Sequence, residues 1–184
     1  LEAARHDLSG IGFCWLALGS EGRQEQTFST DQDNAIVLAA EGAAEPVRAR
    51  LLPFAQAVNV ALDACGFPLC RGEIMAGNPK WCLSAAEWRL RFGDWIRNPD
   101  PAALLNANIF FDFRPLWGET QLALDLRAWL GGATRDDQRF LRMMAQNALQ
   151  TEPPLGFFGD FQTAGSGAER GTNDLKAQGT RVFT

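Results

Sequence analysis

The sequence predicts an α+β protein: a small mixed sheet with flanking helices, followed by a helical bundle. Three observations predict it. Short apolar runs and helix-periodic stretches alternate over about the first 80 residues in the order strand, helix, strand, helix, strand. After Pro79 the pattern changes to capped helices in succession. The 184 residues are 46% apolar and 21% charged, the make-up of a soluble globular chain with a sizeable core. Two domains are expected, a sheet domain over 1–80 and a helical domain over 81–184.

Phe13 to Leu18 is apolar throughout and stops at Gly19, as expected of a strand buried on both faces. Gly22 to Phe28 could form a short helix, and Ala35 to Ala39 a second strand. From Pro46 to Ala64, Val47, Leu51, Phe54 or Ala55, Val58 and Leu62 recur at helical spacing, with Gly66 and Pro68 as the stop. Pro53 lies inside this stretch and should kink or restart the helix. Gly72 to Ala76 reads as a third strand.

In the second half, Ser84 followed by Glu87 forms a capping box, in which each side chain satisfies a backbone N–H of the other residue. The helix carries Trp88, Phe92, Trp95 and Ile96 on one face and ends at Asn98-Pro99. Asp100 caps the next, with Pro101 at its first position, and this helix is expected to run through AALLNANIFFDFR. Leu122, Leu126, Trp129 and Leu130 mark a third, closed by Gly131-Gly132, and Thr134 to about Leu149 a fourth. From Pro153 glycines become frequent, which suits a long loop. The end, NDLKAQGTRVFT, carries no stop signal, so a piece of a longer protein is expected.

A net charge of −5 gives no electrostatic footprint for bulk nucleic acid. No run of roughly 18 apolar residues is present for a membrane span. The first residues lack the apolar region of a signal peptide. The four cysteines, Cys14, Cys65, Cys70 and Cys82, show no CxxC spacing and read as reduced thiols of a cytoplasmic protein. A zinc site made from Cys65, Cys70, Cys82 and the lone His6 has ligand count alone in its favour.

The chemistry concentrates in GSEGRQEQTFSTDQDNA, Gly19 to Ala35. Residues two apart on a strand share a face, so Asp31 and Asp33 would point their carboxylates the same way at the entry of the second strand. Two such carboxylates repel unless a cation lies between them, and Mg²⁺ accepts one or two carboxylates together with substrate phosphates. The Gly19–Ser20 turn offers N–H groups and a hydroxyl to a phosphate, and Arg23 adds a planar cationic fork. Together these suit a nucleoside triphosphate with its metal, and in-line attack at phosphorus. A lone D-x-D is more often a turn. The joint order of strand, G-S, R-x-E and D-x-D entering a strand is far more specific.

GSEGRQEQTFSTDQDNAIV resembles the signature of the nucleotidyltransferase superfamily. More closely it resembles the nucleotidyltransferases of bacterial signalling proteins that occur beside CBS and cyclic-nucleotide-binding modules. These are related to the uridylyltransferase of the PII nitrogen-signalling protein. GFPLCRGEIMAGNPKWC, WRLRFGDWIRNPDP, NIFFDFRPLWGE and NDLK look like later segments of that family, so the likeness covers nearly the whole chain.

The resemblance implies a nucleotidyltransferase-like sheet domain and a helical substrate-binding domain. It implies Mg²⁺-dependent transfer of a nucleoside monophosphate from a triphosphate to an acceptor hydroxyl, with a protein side chain as one candidate acceptor. Asp31 and Asp33 become metal ligands, and Gly19 and Ser20 contact the triphosphate. Arg23 and Glu25 match the motif, either with Arg23 on phosphate or as an internal pair. A third carboxylate is expected from a later strand. Glu73 is the best placed for it, and Asp112 is an alternative, though beside Arg114 it is more often an internal ion pair bracing the helix. Lys176 could neutralise a phosphate. Trp88, Trp95 and Trp129 fit helix cores better than a base-stacking platform. The rival reading is a catalytically inactive module that binds a nucleotide and reports it to neighbouring domains. A second rival is a helical protein-interaction domain in which the polar turn is only structural.

Overall fold

The apolar run beginning at Phe13 forms the central strand β1, Phe13–Ala17, and NAIVL forms β2, Asn34–Leu38. Both are buried along their whole length, as their unbroken apolar character demands. They pair antiparallel, with Phe13 opposite Leu38 and Ala17 opposite Asn34. The computed structural model describes residues 6–26, 30–40, 42 and 44–149. It divides into two compact units, Leu1–Asp137 and Gln138–Thr184.

The sheet has four strands in the order β3-β2-β1-β4. β3, Cys82–Ser84, lies parallel to β2, and β4, Arg114–Gly118, lies antiparallel to β1. The sheet thus draws strands from both sides of residue 80. Neither edge strand was expected. β3 is only three residues long, too short for a period to show. β4 holds Pro115, which donates no ladder hydrogen bond and is tolerated at an edge. The helix expected to run through AALLNANIFFDFR ends at Phe110, a bend follows, and the chain enters β4.

Gly72–Ala76, expected as the third strand, is a turn segment instead. The Glu73 amide donates to the Cys70 carbonyl at 3.0 Å, and Glu73 itself has φ +56°. The segment is still stapled to the entry of β2. The Gln32 amide donates to the Pro68 carbonyl at 2.9 Å and the Asn34 amide to the Ile74 carbonyl at 3.1 Å.

The helices are α1, Gly19–Gly22; α2, Ala44–Ala64; α3, Ala85–Arg97; α4, Pro101–Phe110; α5, Thr120–Arg135; and α6, Gln138–Ala148. α2 continues through Pro53 as one helix, without the expected restart. Its buried stripe is Ala44, Arg48, Leu51, Phe54, Ala55 and Asn59, so two polar residues stand where an apolar phase through Val58 and Leu62 was expected. Arg48 is tolerated because every direction of its guanidinium is met. Nε donates to the Cys82 carbonyl at 2.7 Å, Nη2 to both Glu87 oxygens at 2.5 and 2.6 Å, and Nη1 to Glu45. α2 packs Leu51, Phe54 and Ala55 against Phe13, Trp15, Ile36 and Leu38.

The capping box at Ser84 and Glu87 is present, as is the Asp100 cap with Pro101 behind it. Trp88 is buried and its Nε1 donates to the Ile36 carbonyl at 2.9 Å. Trp88 and Trp95 join Phe92 and Phe110 in one aromatic cluster, as core residues. α5 runs through Gly131-Gly132 to Arg135, so Thr134 closes this helix rather than opening the next. In the second unit the described helix is α6, with Phe140 buried. No helix among the described residues is long and apolar enough to cross a membrane.

Candidate active site

The site begins where β1 ends. Gly19 opens α1 with φ +51°, a backbone state that glycine enters without strain. Three residues on, a Cβ at Gly22 would lie 1.8 Å from the Asp112 carbonyl oxygen. The second glycine of GSEG is therefore required by close approach of the chain leading into β4. Leu18 donates its amide to the Asp33 carbonyl at 3.0 Å, which ties the start of this turn to the aspartate pair.

Each residue of DQDN has a separate use. Gln32, Asn34 and Asn59 are buried together on the α2 side. Asn59 Nδ2 donates to Gln32 Oε1 at 2.8 Å and to Asn34 Oδ1 at 3.0 Å. Gln32 Nε2 donates to the carbonyls of Asn59 and Phe67 at 2.9 and 2.8 Å. Asn34 Oδ1 also accepts the Ala76 amide at 2.8 Å, and Asn59 Oδ1 the Gly77 amide at 2.9 Å. This amide network holds Gln32 and Asn34, and Asp31 and Asp33 alternate with them in the segment that leads into β2.

The two aspartates do converge. Carboxylate oxygens of Asp31 and Asp33 and the sulfur of Cys70 all lie within 4.8 Å of one another. The aspartates are half-buried and Cys70 is buried. Burial pushes the Cys70 thiol up to about 11; backbone hydrogen bonds at Ile74 and Gly72 oppose the rise, and the Asp33 carboxylate beside it adds to it. Two oxygens and a sulfur form a donor set that fits a divalent cation. Neither Glu73 nor the set of Cys65, Cys70, Cys82 and His6 belongs to such a group among the described residues.

Arg23 is held by two carboxylates. Its Nε donates to Glu25 at 2.9 Å and its Nη1 to Asp112 at 2.8 Å. The internal Arg23–Glu25 pair is thus present. The partner of Asp112 is Arg23 rather than the expected Arg114, because the bend at Phe111–Asp112 turns the carboxylate back toward α1. Arg114 reaches the Glu21 carbonyl at 3.2 Å, and its Nε is buried with no hydrogen-bond partner. Glu21 is a carboxylate that the motif reading passed over. Burial raises its pKa, Arg114 lowers it, and the charge on Asp33 raises it further. Its place in GSEG, beside a phosphate-type turn, was the available signal.

A family model described as "Putative nucleotidyltransferase DUF294" matches residues 1–102, more than half of the chain. The chain belongs to this nucleotidyltransferase family. A second model, described as "Putative nucleotidyltransferase substrate binding domain", matches residues 138–184. No curated protein and no solved structure matches the chain.

The matched nucleotidyltransferase segment contains Gly19, Ser20, Arg23, Glu25, Asp31, Asp33, Cys70 and Glu73. The structure brings the two aspartates together and joins the Gly19–Ser20 turn to them through Leu18. Glu73 is not a member of that group. Glu73 is exposed, its carbonyl accepts from Asn78 Nδ2 and Trp81 Nε1, each at 3.0 Å, and it borders a cavity of about 400 Å³. That cavity is lined also by Gln56, Asn59, Leu69 and Asn78, and by none of Gly19, Ser20, Asp31 or Asp33. It lies on the α2 side of the strand entry. Lys176 lies outside the described residues. The remaining cysteines are structural in character: Cys14 and Cys82 are buried in strands, with thiols pushed by burial to about 11 and about 12, and Cys65 is exposed.

Proposed function

We propose that this nucleotidyltransferase transfers a nucleoside monophosphate from a triphosphate to an acceptor hydroxyl, using Mg²⁺ held by Asp31 and Asp33. The observation that carries the reading is the convergence of those two side chains at the end of the sheet, tied to the Gly19–Ser20 turn. Mg²⁺ bound there supplies positive charge against the phosphate oxygens and acidifies the acceptor hydroxyl. The chain's own residues do the positioning. Gly19 and Ser20 receive the triphosphate through backbone N–H groups and the serine hydroxyl. Arg23, oriented by Glu25 and Asp112, presents its guanidinium to phosphate oxygens. Glu21 stands close enough to Asp33 for that charge, after burial and against Arg114, to raise its pKa.

By its resemblance, we place the protein in cytoplasmic bacterial signalling, beside CBS or cyclic-nucleotide-binding modules, with a protein side chain as acceptor. The group of Asp31, Asp33 and Cys70 holds no third carboxylate, which favours a second reading, a module that binds nucleotide without transferring it. Titration calorimetry with each of the four common triphosphates and Mg²⁺, followed by assay of pyrophosphate release, separates the two. Transfer predicts binding with pyrophosphate release, both lost in Asp31→Asn and Asp33→Asn. Binding without release gives the module, and no binding at all rejects both readings.

A further inference from the structure

We propose that Cys70 is the third ligand of the Asp31–Asp33 site and that its sulfur sets which divalent ion the site prefers. This rests on the reading that the two aspartates hold a metal, and it adds a residue that the D-x-D pattern does not contain. All three donor atoms lie within 4.8 Å of one another. Two ligands on one tetrahedral zinc-like ion, with bonds of about 2.3 Å to sulfur and about 2.0–2.2 Å to oxygen, stand roughly 3.4–3.6 Å apart. Side-chain shifts of about 1 Å bring all three onto one ion.

The thiol is fixed where it stands. The loop that carries it is stapled to the β2 entry on both sides, through the Pro68 and Ile74 carbonyls, and it turns at the Cys70 carbonyl. Those two hydrogen bonds come from Gln32 and Asn34, the residues that alternate with the aspartates. One local ladder thus presents all three ligands, with the sulfur within 4.8 Å of both carboxylates.

Oxygen-only sites suit Mg²⁺, while a thiolate shifts preference toward Zn²⁺, Co²⁺ and Cd²⁺. On binding such an ion, Cys70 releases its proton to solvent and its sulfur replaces one metal-bound water. Mg²⁺ engages the carboxylates and leaves the thiol protonated. Thiophilic ions would then compete with Mg²⁺ for the site through a bond that Mg²⁺ does not make.

The probe is Co²⁺ added to the full chain. A sulfur-to-cobalt charge-transfer band is expected in the near ultraviolet for the wild type and for Cys65→Ser, and is expected to vanish in Cys70→Ser. Mn²⁺ binding, read by electron paramagnetic resonance, should persist in Cys70→Ser and weaken in Asp31→Asn and Asp33→Asn. Cadmium NMR of the wild type gives a second reading that needs no variant, since a sulfur ligand moves the resonance far downfield of an oxygen-only site. A cobalt spectrum without the sulfur band, a band that survives in Cys70→Ser, or an oxygen-type cadmium shift overturns the role of Cys70. Mn²⁺ binding that is absent, or indifferent to both aspartates, overturns the metal reading beneath it.

Discussion

Arg23 and Asp112 stand 89 residues apart in the chain and 2.8 Å apart in space. The contact joins the arginine of the G-S-E-G-R turn to the bend before β4. Both side chains are partly exposed, at 24% and 47%. Asp112→Ala should therefore lower stability by at most about 1 kcal/mol in urea unfolding. If Arg23 serves phosphate, Arg23→Ala should weaken triphosphate binding in calorimetry far more than Asp112→Ala does. Equal effects would leave the pair a purely structural clamp.

Gly22 tests the close packing at the same place. Its missing Cβ would meet the Asp112 carbonyl oxygen at 1.8 Å, and a backbone oxygen has little room to retreat. Gly22→Ala is expected to cost at least about 2–3 kcal/mol, the upper range for overpacking. Gly131→Ala, with open space around its Cβ position in a helix, should be neutral or stabilising and serves as the control.

Asn59 is the keystone of the buried amide network. Asn59→Ala removes the donor to Gln32 and Asn34 and the acceptor for the Gly77 amide. Leaving these groups unpaired should cost about 2–4 kcal/mol. Metal affinity should fall with it, because the network sets which way Asp31 and Asp33 point. A variant that loses stability yet binds Mn²⁺ like the wild type would separate the network from the site.

Glu87 and Glu21 should respond to pH in opposite senses. Burial works against the charged form of Glu87, but hydrogen bonds from Arg48 and Ser84 outweigh it and hold the carboxyl below its ordinary 4.5. The stability it contributes is present above pH 4.5 and is lost as pH falls through the lower, folded-state value. Glu87 is partly exposed, so the contribution is on the order of 1 kcal/mol. Glu87→Gln should flatten the acid side of a plot of urea midpoint against pH.

For Glu21 the shift is upward, led by burial, with Arg114 opposing it and Asp33 adding to it. Its contribution is full below pH 4.5 and is lost as pH rises through the raised value. Glu21→Gln should thus raise the urea midpoint at pH 7 relative to the wild type. A lowered midpoint at pH 7 would show that the ionised form, held by Arg114, is the one the fold uses.

Much of the candidate site was legible because its signals are local. The two-residue spacing of Asp31 and Asp33 at the entry of β2 led to their convergence being expected, and the cap chemistry of Ser84, Glu87, Asp100 and Pro101 acts within one helical turn. β1 and β2 announced themselves by unbroken apolar runs. β3 and β4 did not, since three residues show no period and Arg114–Gly118 is an exposed edge whose residues need no apolar pattern. Arg48 and Asn59 misled for a related reason: a buried polar residue looks like a surface residue until its partners are known.

The residues themselves determined the α+β class, the two central strands and the shared direction of the aspartate pair, because each depends on neighbours within a few positions. Only tertiary structure decided that Asp112 belongs to Arg23 and that Cys70 joins the aspartate pair. Those relationships depend on where segments tens of residues apart meet, and that is set by packing of the whole core rather than by any local spacing.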